Sequence, residues 1–237
     1  MNFKRTPTVI FLCVLPLLIA LGLWQLGRAD QKRVLLEQRE QVMSSAEILS
    51  LSDGIVDNVD VLKFKKVKLN GHYDAAHQFL IDNQISSGRV GYFVLTPFIL
   101  TDGARAVLVN RGWVPLNANR QILPDLQFTT NPIEVTGRIN SFPSVGIKLA
   151  GAEQPSSGWP SVMQVVDTSI LAKKLGYTLF TFQVELNKEL PEGFKREWQV
   201  SSIMLPEQHI AYAMQWFALA VTLTVLFFWY SKKNKDE

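Results

Sequence analysis

Hydrophobic positions along this chain follow two unlike patterns. Two stretches are apolar throughout, and between them apolar and polar residues alternate in short runs. From Thr6 to Gly27 there are 22 positions without a charge, bounded by Arg5 and Arg28. A second uncharged stretch of 22 runs from Ile210 to Ser231 and ends in Phe227, Phe228, Trp229 and Tyr230, just before Lys232 and Lys233. At about 1.5 Å of rise per residue, either stretch crosses a ~30 Å hydrocarbon core as a helix. The aromatic cluster that closes the second reads as an interfacial belt. Pro16 and Gly22 would weaken a helix in water, but lipid offers the backbone no other partner. A cleavable signal peptide is the alternative for the first stretch. The apolar run exceeds an ordinary signal core, and Ala20 and Gly22 lead into Leu23 and Trp24 rather than a polar start.

Between the spans, Gln31 to Leu51 contains no Pro or Gly and is expected to prolong the first helix. Val61 to Leu69 reads as a strand whose parity shifts between Leu62/Phe64 and Val67/Leu69, as a bulge would require. Asn70-Gly71 then reads as a turn. Tyr92 to Leu100, Thr101 to Ala104 and Arg105 to Asn110 form a strand, turn and strand, with Pro97 marking an edge or bulge. Further strands are expected over Ile133 to Ile139, Val162 to Val166 and Thr178 to Leu186, the last with Phe180, Phe182, Val184 and Leu186 on one face. Asp167 opens a helix that closes near Gly176. The pattern predicts a membrane protein in which two transmembrane helices flank an extracytoplasmic, mainly antiparallel β-rich α+β domain. Its parts are a cytoplasmic tail over 1–7, a first span over 8–27, a periplasmic domain with a helical N-terminal extension over 28–208, a second span over 209–230, and a cytoplasmic basic tail over 231–237.

Charge fixes the expected orientation. Lys4 and Arg5 precede the first span and three lysines follow the second, so both termini are expected on the cytoplasmic side. The formal net charge of +3 belongs to those tails, because Arg28 to His209 holds 19 basic and 19 acidic residues. A neutral outer segment excludes a nucleic-acid surface. Cys13 is the only cysteine, which excludes an internal disulfide, a CxxC redox pair and a thiolate metal cluster.

Motifs for hydrolysis, phosphate binding or zinc catalysis are absent. His72 and His77 lie five apart, a spacing that shares neither a helix face nor a strand face, and read as surface or turn residues. Asp74 and Asp82 are nearby, yet a neighbouring carboxylate is too common to name an acid–base pair. His209 differs because it stands at the mouth of the second span, where an ionisable group is a functional candidate and imidazole a common haem ligand. A polar residue that merely caps the helix would look the same. Tyr212 and Gln215 follow it and are expected on one stripe facing the first span, whose outer end carries Trp24 and Gln25.

Four blocks carry a resemblance that covers nearly the whole chain. They are Gly22-Leu-Trp24-Gln25-Leu-Gly-Arg28 with Lys32, Gly91-Tyr92 to Pro97 followed by Val109 to Pro115, Gly158-Trp159-Pro160, and His209-Ile-Ala-Tyr212-Ala-Met-Gln215-Trp216-Phe217. In this order, between two spans, they resemble the Surfeit-locus family of cytochrome c oxidase assembly proteins, in its bacterial form. The resemblance implies a non-catalytic assembly factor in the bacterial inner membrane. It would bind haem A and assist its insertion into, or retention by, oxidase subunit I, with haem A synthase a further partner. It also implies His209 as ligand of the haem iron, with Trp24, Gln25, Tyr212 and Gln215 in the pocket. The alternative within the family is a haem-free scaffold that steadies immature subunit I. Arg111, Gly112, Trp113 and Trp159 match signature positions, with a structural role in turns and core expected for them.

Overall fold

A strand with an unpaired edge invites aggregation, and a sheet that closes on itself removes the problem. The computed structural model describes residues 5–51, 57–101, 105–128, 130–147, 149–198 and 204–233. In chain order its elements are α1 (Arg5–Ser44), β1 (Ile48–Ser50), α2 (Val59–Leu62), β2 (Lys66–Tyr73), β3 (Phe79–Ser86), β4 (Arg89–Leu100), β5 (Arg105–Pro115), β6 (Glu134–Asn140), β7 (Ser161–Met163), α3 (Thr168–Leu175), β8 (Thr178–Leu186) and α4 (Pro206–Lys233). They fall into two compact units, one within Met1–Gln41 and Val200–Glu237, the other within Val42–Gln199.

In the second unit, β2, β6, β8, β5 and β4 pair in that order, and β4 returns to β2 to close a five-stranded barrel. The long strand β4 also pairs β3, which carries β7 on its far side, while β1 lies along β2. Parallel pairs are β1–β2, β3–β7 and β5–β8; the others are antiparallel, as expected. Alternation decides which residues fill the barrel. Val107 and Val109 of β5 meet Phe180, Phe182 and Val184 of β8 inside it. Ala106 and Leu108 point the other way and pack with Leu171 of α3. That helix starts as the sequence predicts, with the Asp167 side chain accepting from Ser169 and Ile170 N–H, and stops on Gly176 at φ 83°.

Several expectations need correction. Residues Val59–Leu62 form a helical turn capped by Asn58, not a strand, so the parity shift marks a helix-to-strand transition rather than a bulge. Asn70-Gly71 is not a turn but lies inside β2, at the point where this strand leaves β6 and pairs β4. Gly is required there because a Cβ would overlap the Ile99 carbonyl oxygen. The first helix ends at Ser44, and Ile48–Ser50 is a short strand. Strand β3 has no clear signal: Phe79, Leu80 and Ile81 are all buried, and the alternation then breaks at a bulge between Ile81 and Gln84. Pro97 is not on an edge; it sits where β4 passes from β3 to β2, so its missing N–H costs no bond. Residues 102–104 of the expected turn and parts of both terminal tails lie outside the described residues.

In the first unit, α1 and α4 run antiparallel. Phe11 stacks on Phe227 at 4.2 Å, and a Cβ on Gly22 would come within 2.5 Å of the Phe217 ring. Both helices are long and apolar enough to cross a membrane. The hydroxyls of Thr222 and Thr224 donate to the Ala218 and Ala220 carbonyls at 2.9 and 2.8 Å, which satisfies them within the helix.

Gly71→Ala should force β2 and β4 apart at the barrel closure and destabilise the protein by about 1–3 kcal/mol. Thermal unfolding followed by circular dichroism would show a melting point several degrees lower, whereas an unchanged one would contradict the close approach.

Candidate functional site

Helical geometry decides which residues of α4 face α1. At about 100° per residue, positions 209, 213, 216 and 220 share a face, while 215 lies on the other side. His209, Ala213 and Ala220 are accordingly buried. The helix begins at Pro206, and the Gln208 side chain reaches back to accept from Leu205 N–H at 2.9 Å, which sets the first turn. His209, 8% exposed, then points at α1, where its Nδ1 meets Gln25 Oε1 at 2.7 Å. The ring makes no other hydrogen bond among the described residues.

The structure thus brings together two of the five residues singled out from sequence. Trp24 is 54% exposed, with Arg28 over its ring at 5.6 Å. Tyr212 is 46% exposed and Gln215 is exposed as well. The expected polar stripe of Tyr212 and Gln215 facing the first helix is therefore corrected: His209, Ala213, Trp216 and Ala220 occupy that face. What the pair offers chemically is one oriented imidazole between two apolar helices. Among the described residues no group of three or more His, Cys, Asp or Glu could hold a metal ion, and the His209 imidazole is a single donor.

The barrel unit holds two polar clusters that sequence reasoning did not assemble. Asp74 accepts from the Tyr177 hydroxyl at 2.8 Å and pairs His77 Nδ1 at 2.8 Å, and the His77 ring stands edge-on to Trp159. Burial, then the bond to Asp74, pushes the Tyr177 hydroxyl well above its usual range. The cluster ties the β2–β3 turn to the start of β8. His72, by contrast, is an exposed residue within β2.

Arg111 carries the second cluster. It is 1% exposed and lies at the bulge between β4 and β5. Its guanidinium donates to Gln78 Oε1 at 2.9 Å, Leu126 O at 3.2 Å and Glu192 O at 2.6 Å, and it stacks over Phe128 at 3.7 Å. Burial lowers its pKa to about 10, which leaves it charged at neutral pH. Next to it, Gly112 has φ 116°, and a Cβ there would lie 2.7 Å from the Lys195 carbonyl oxygen. Trp113 donates its ring N–H to Gln84 O at 2.9 Å. The structural role expected for these signature residues agrees with their contacts. No periodicity flags Arg111, which the sequence marks only as a signature position in a strand that also carries Arg105 and Asn110.

Comparison with known proteins adds relationship to geometry. A family model described as the SURF1 family matches residues 12–221. A SURF1-like protein of Rickettsia bellii is 27% identical over 240 residues, 96% of this chain and 90% of its own length. Surfeit locus protein 1 of Arabidopsis thaliana is 24% identical over 255 residues, 87% of this chain and 72% of its own. A Saccharomyces cerevisiae protein named cytochrome oxidase assembly protein SHY1 is 30% identical over 105 residues, 44% of this chain and 26% of its own.

Arg111→Leu should cost about 3–5 kcal/mol, because Gln78, Leu126 and Glu192 lose a buried partner together. Lys68→Met removes the exposed ion pair with Glu134 and should change stability by less than about 1 kcal/mol. Melting curves of the two variants should differ clearly; equal curves would mean that Arg111 does not anchor its surroundings.

Proposed function

The chain belongs to the SURF1 family, and on that premise we propose that it acts in the assembly of cytochrome oxidase as a non-enzymatic, two-span membrane protein. The role printed in the name of the yeast relative supports this reading. The observation that carries its chemistry is the Gln25–His209 bond between the two apolar helices. Both termini lie in the cytoplasm of a bacterial cell and the barrel lies in the periplasm, where it meets oxidase subunit I and, at an earlier step, haem A synthase.

The ligand is haem A, which is apolar enough to lie among membrane helices and whose iron takes an axial imidazole. His209 supplies that donor, and Gln25 holds the ring. Trp24, Tyr212 and Gln215 lie on outward faces, so within this chain they do not wall a closed pocket around His209. We infer that the remaining surface for the macrocycle comes from a partner, which fits a protein that holds haem during transfer rather than one that stores it. The same outward placement favours a second reading, a haem-free scaffold on which subunit I rests. In the barrel unit the Asp74–His77–Tyr177 cluster brings acid–base groups together, and that cluster is knitted into the fold.

Three measurements test this. Protein purified from cells that make haem A should carry a pigment spectrum, and His209→Ala should lose it while still inserting into the membrane; a colourless wild type would favour the scaffold. Deleting the gene should lower active oxidase and leave haem A synthesis running, whereas normal oxidase with correctly loaded haem would reject the assembly role. A periplasm-active reporter should work when inserted after Asn119 and fail at the C-terminus, and the reverse pattern would overturn the topology.

A further inference from the structure

The bond between Gln25 and His209 settles more than the angle of a ring. A neutral imidazole carries one proton, and the nitrogen that makes the donor bond is the one that keeps it. Free histidine in water favours Nε2–H, which would leave the lone pair on Nδ1, the more crowded nitrogen beside the side-chain stem. With a carboxamide oxygen 2.7 Å from Nδ1, the preference reverses. The bond lies at one end of two apolar helices, on a ring that is 8% exposed and beside a half-buried Gln25, so water competes poorly for the ring. No other hydrogen bond reaches the side chain of Gln25 or of His209 among the described residues, so this one sets their arrangement.

We propose that Gln25 is the positioning residue of the site: its side-chain carbonyl holds His209 as the Nδ1–H tautomer and so leaves the Nε2 lone pair as the donor presented to iron. The part concerning iron rests on the haem reading above; the tautomer is a property of the chain without any ligand. The choice of carboxamide over carboxylate has a consequence of its own. A carboxylate would draw the Nδ1 proton further away, make the imidazole a stronger donor and add a charge at the span's edge. Gln25 orients the ring while keeping the pair neutral, which suits a ligand that must later give up its iron.

The test uses full-length protein in detergent with its three histidines labelled with nitrogen-15, free of haem and in mildly alkaline buffer. His209→Ala identifies the His209 signals. The wild type should show His209 as Nδ1–H, Gln25→Leu should return it to Nε2–H, and Gln25→Glu should keep Nδ1–H. In titrations with haem A, Gln25→Leu should bind about 10–100-fold more weakly. Gln25→Glu should restore binding and shift the haem midpoint potential downward. Wild-type His209 found as Nε2–H, or an unchanged tautomer in Gln25→Leu, would overturn the proposal. Haem binding by His209→Ala equal to wild type would overturn the haem reading and the iron-presenting part that rests on it, while the tautomer result, measured without haem, stands or falls separately.

Discussion

A guanidinium buried to 1% exposure must be met on every side or the fold around it fails. Arg111 meets this demand by collecting carbonyl and amide oxygens from three separate places: Gln78 at the start of β3, Leu126 in the long loop after β5, and Glu192 in the segment after β8. Glu192 has a left-handed backbone at φ 63°, and its carboxylate in turn accepts from Thr130 N–H at 2.7 Å. One charge therefore fixes the two irregular segments of the barrel unit against each other. The second of them is the path by which the chain leaves the barrel toward α4, and hence toward His209.

The helix pair is organised by the opposite logic. Its contacts include small and aromatic residues, with Gly22 against Phe217 and Phe11 on Phe227, and the bond between Gln25 and His209. Close packing without charge is what apolar surroundings allow at low cost. The barrel unit tolerates a buried cation because backbone oxygens are at hand, whereas the helix backbone has its oxygens engaged.

Sequence pattern was a good guide where one physical rule acted alone. Strand β8 shows a clean alternation because one face fills the barrel, and α3 shows its Asp167 cap and Gly176 stop because helix ends must satisfy their own backbone groups. Pattern misled where tertiary pairing overrode local preference: Asn70-Gly71 has turn chemistry, yet the glycine is there for the close approach of Ile99. At the site, His209 and Gln25 stood out as polar residues at span ends. Tyr212 and Gln215 looked like company for His209 because they follow it in sequence, but residue 213 shares its face. Arg111 could not be read from sequence as an anchor, since its partners lie 15, 33 and 81 residues away.

The Gln25–His209 contact joins residues 184 apart, and everything that folds into the barrel lies between them. Pairing of the two helices makes this long segment a closed loop. Ends already brought together have less conformational freedom to lose, and the cost of closing a loop grows only slowly with its length. The strands that shut the barrel, β2 with β4 and β5 with β8, are pairings of this non-local kind, which are slow to form in a free chain. The apolar helices thus act on the barrel unit as a clamp on its unfolded state.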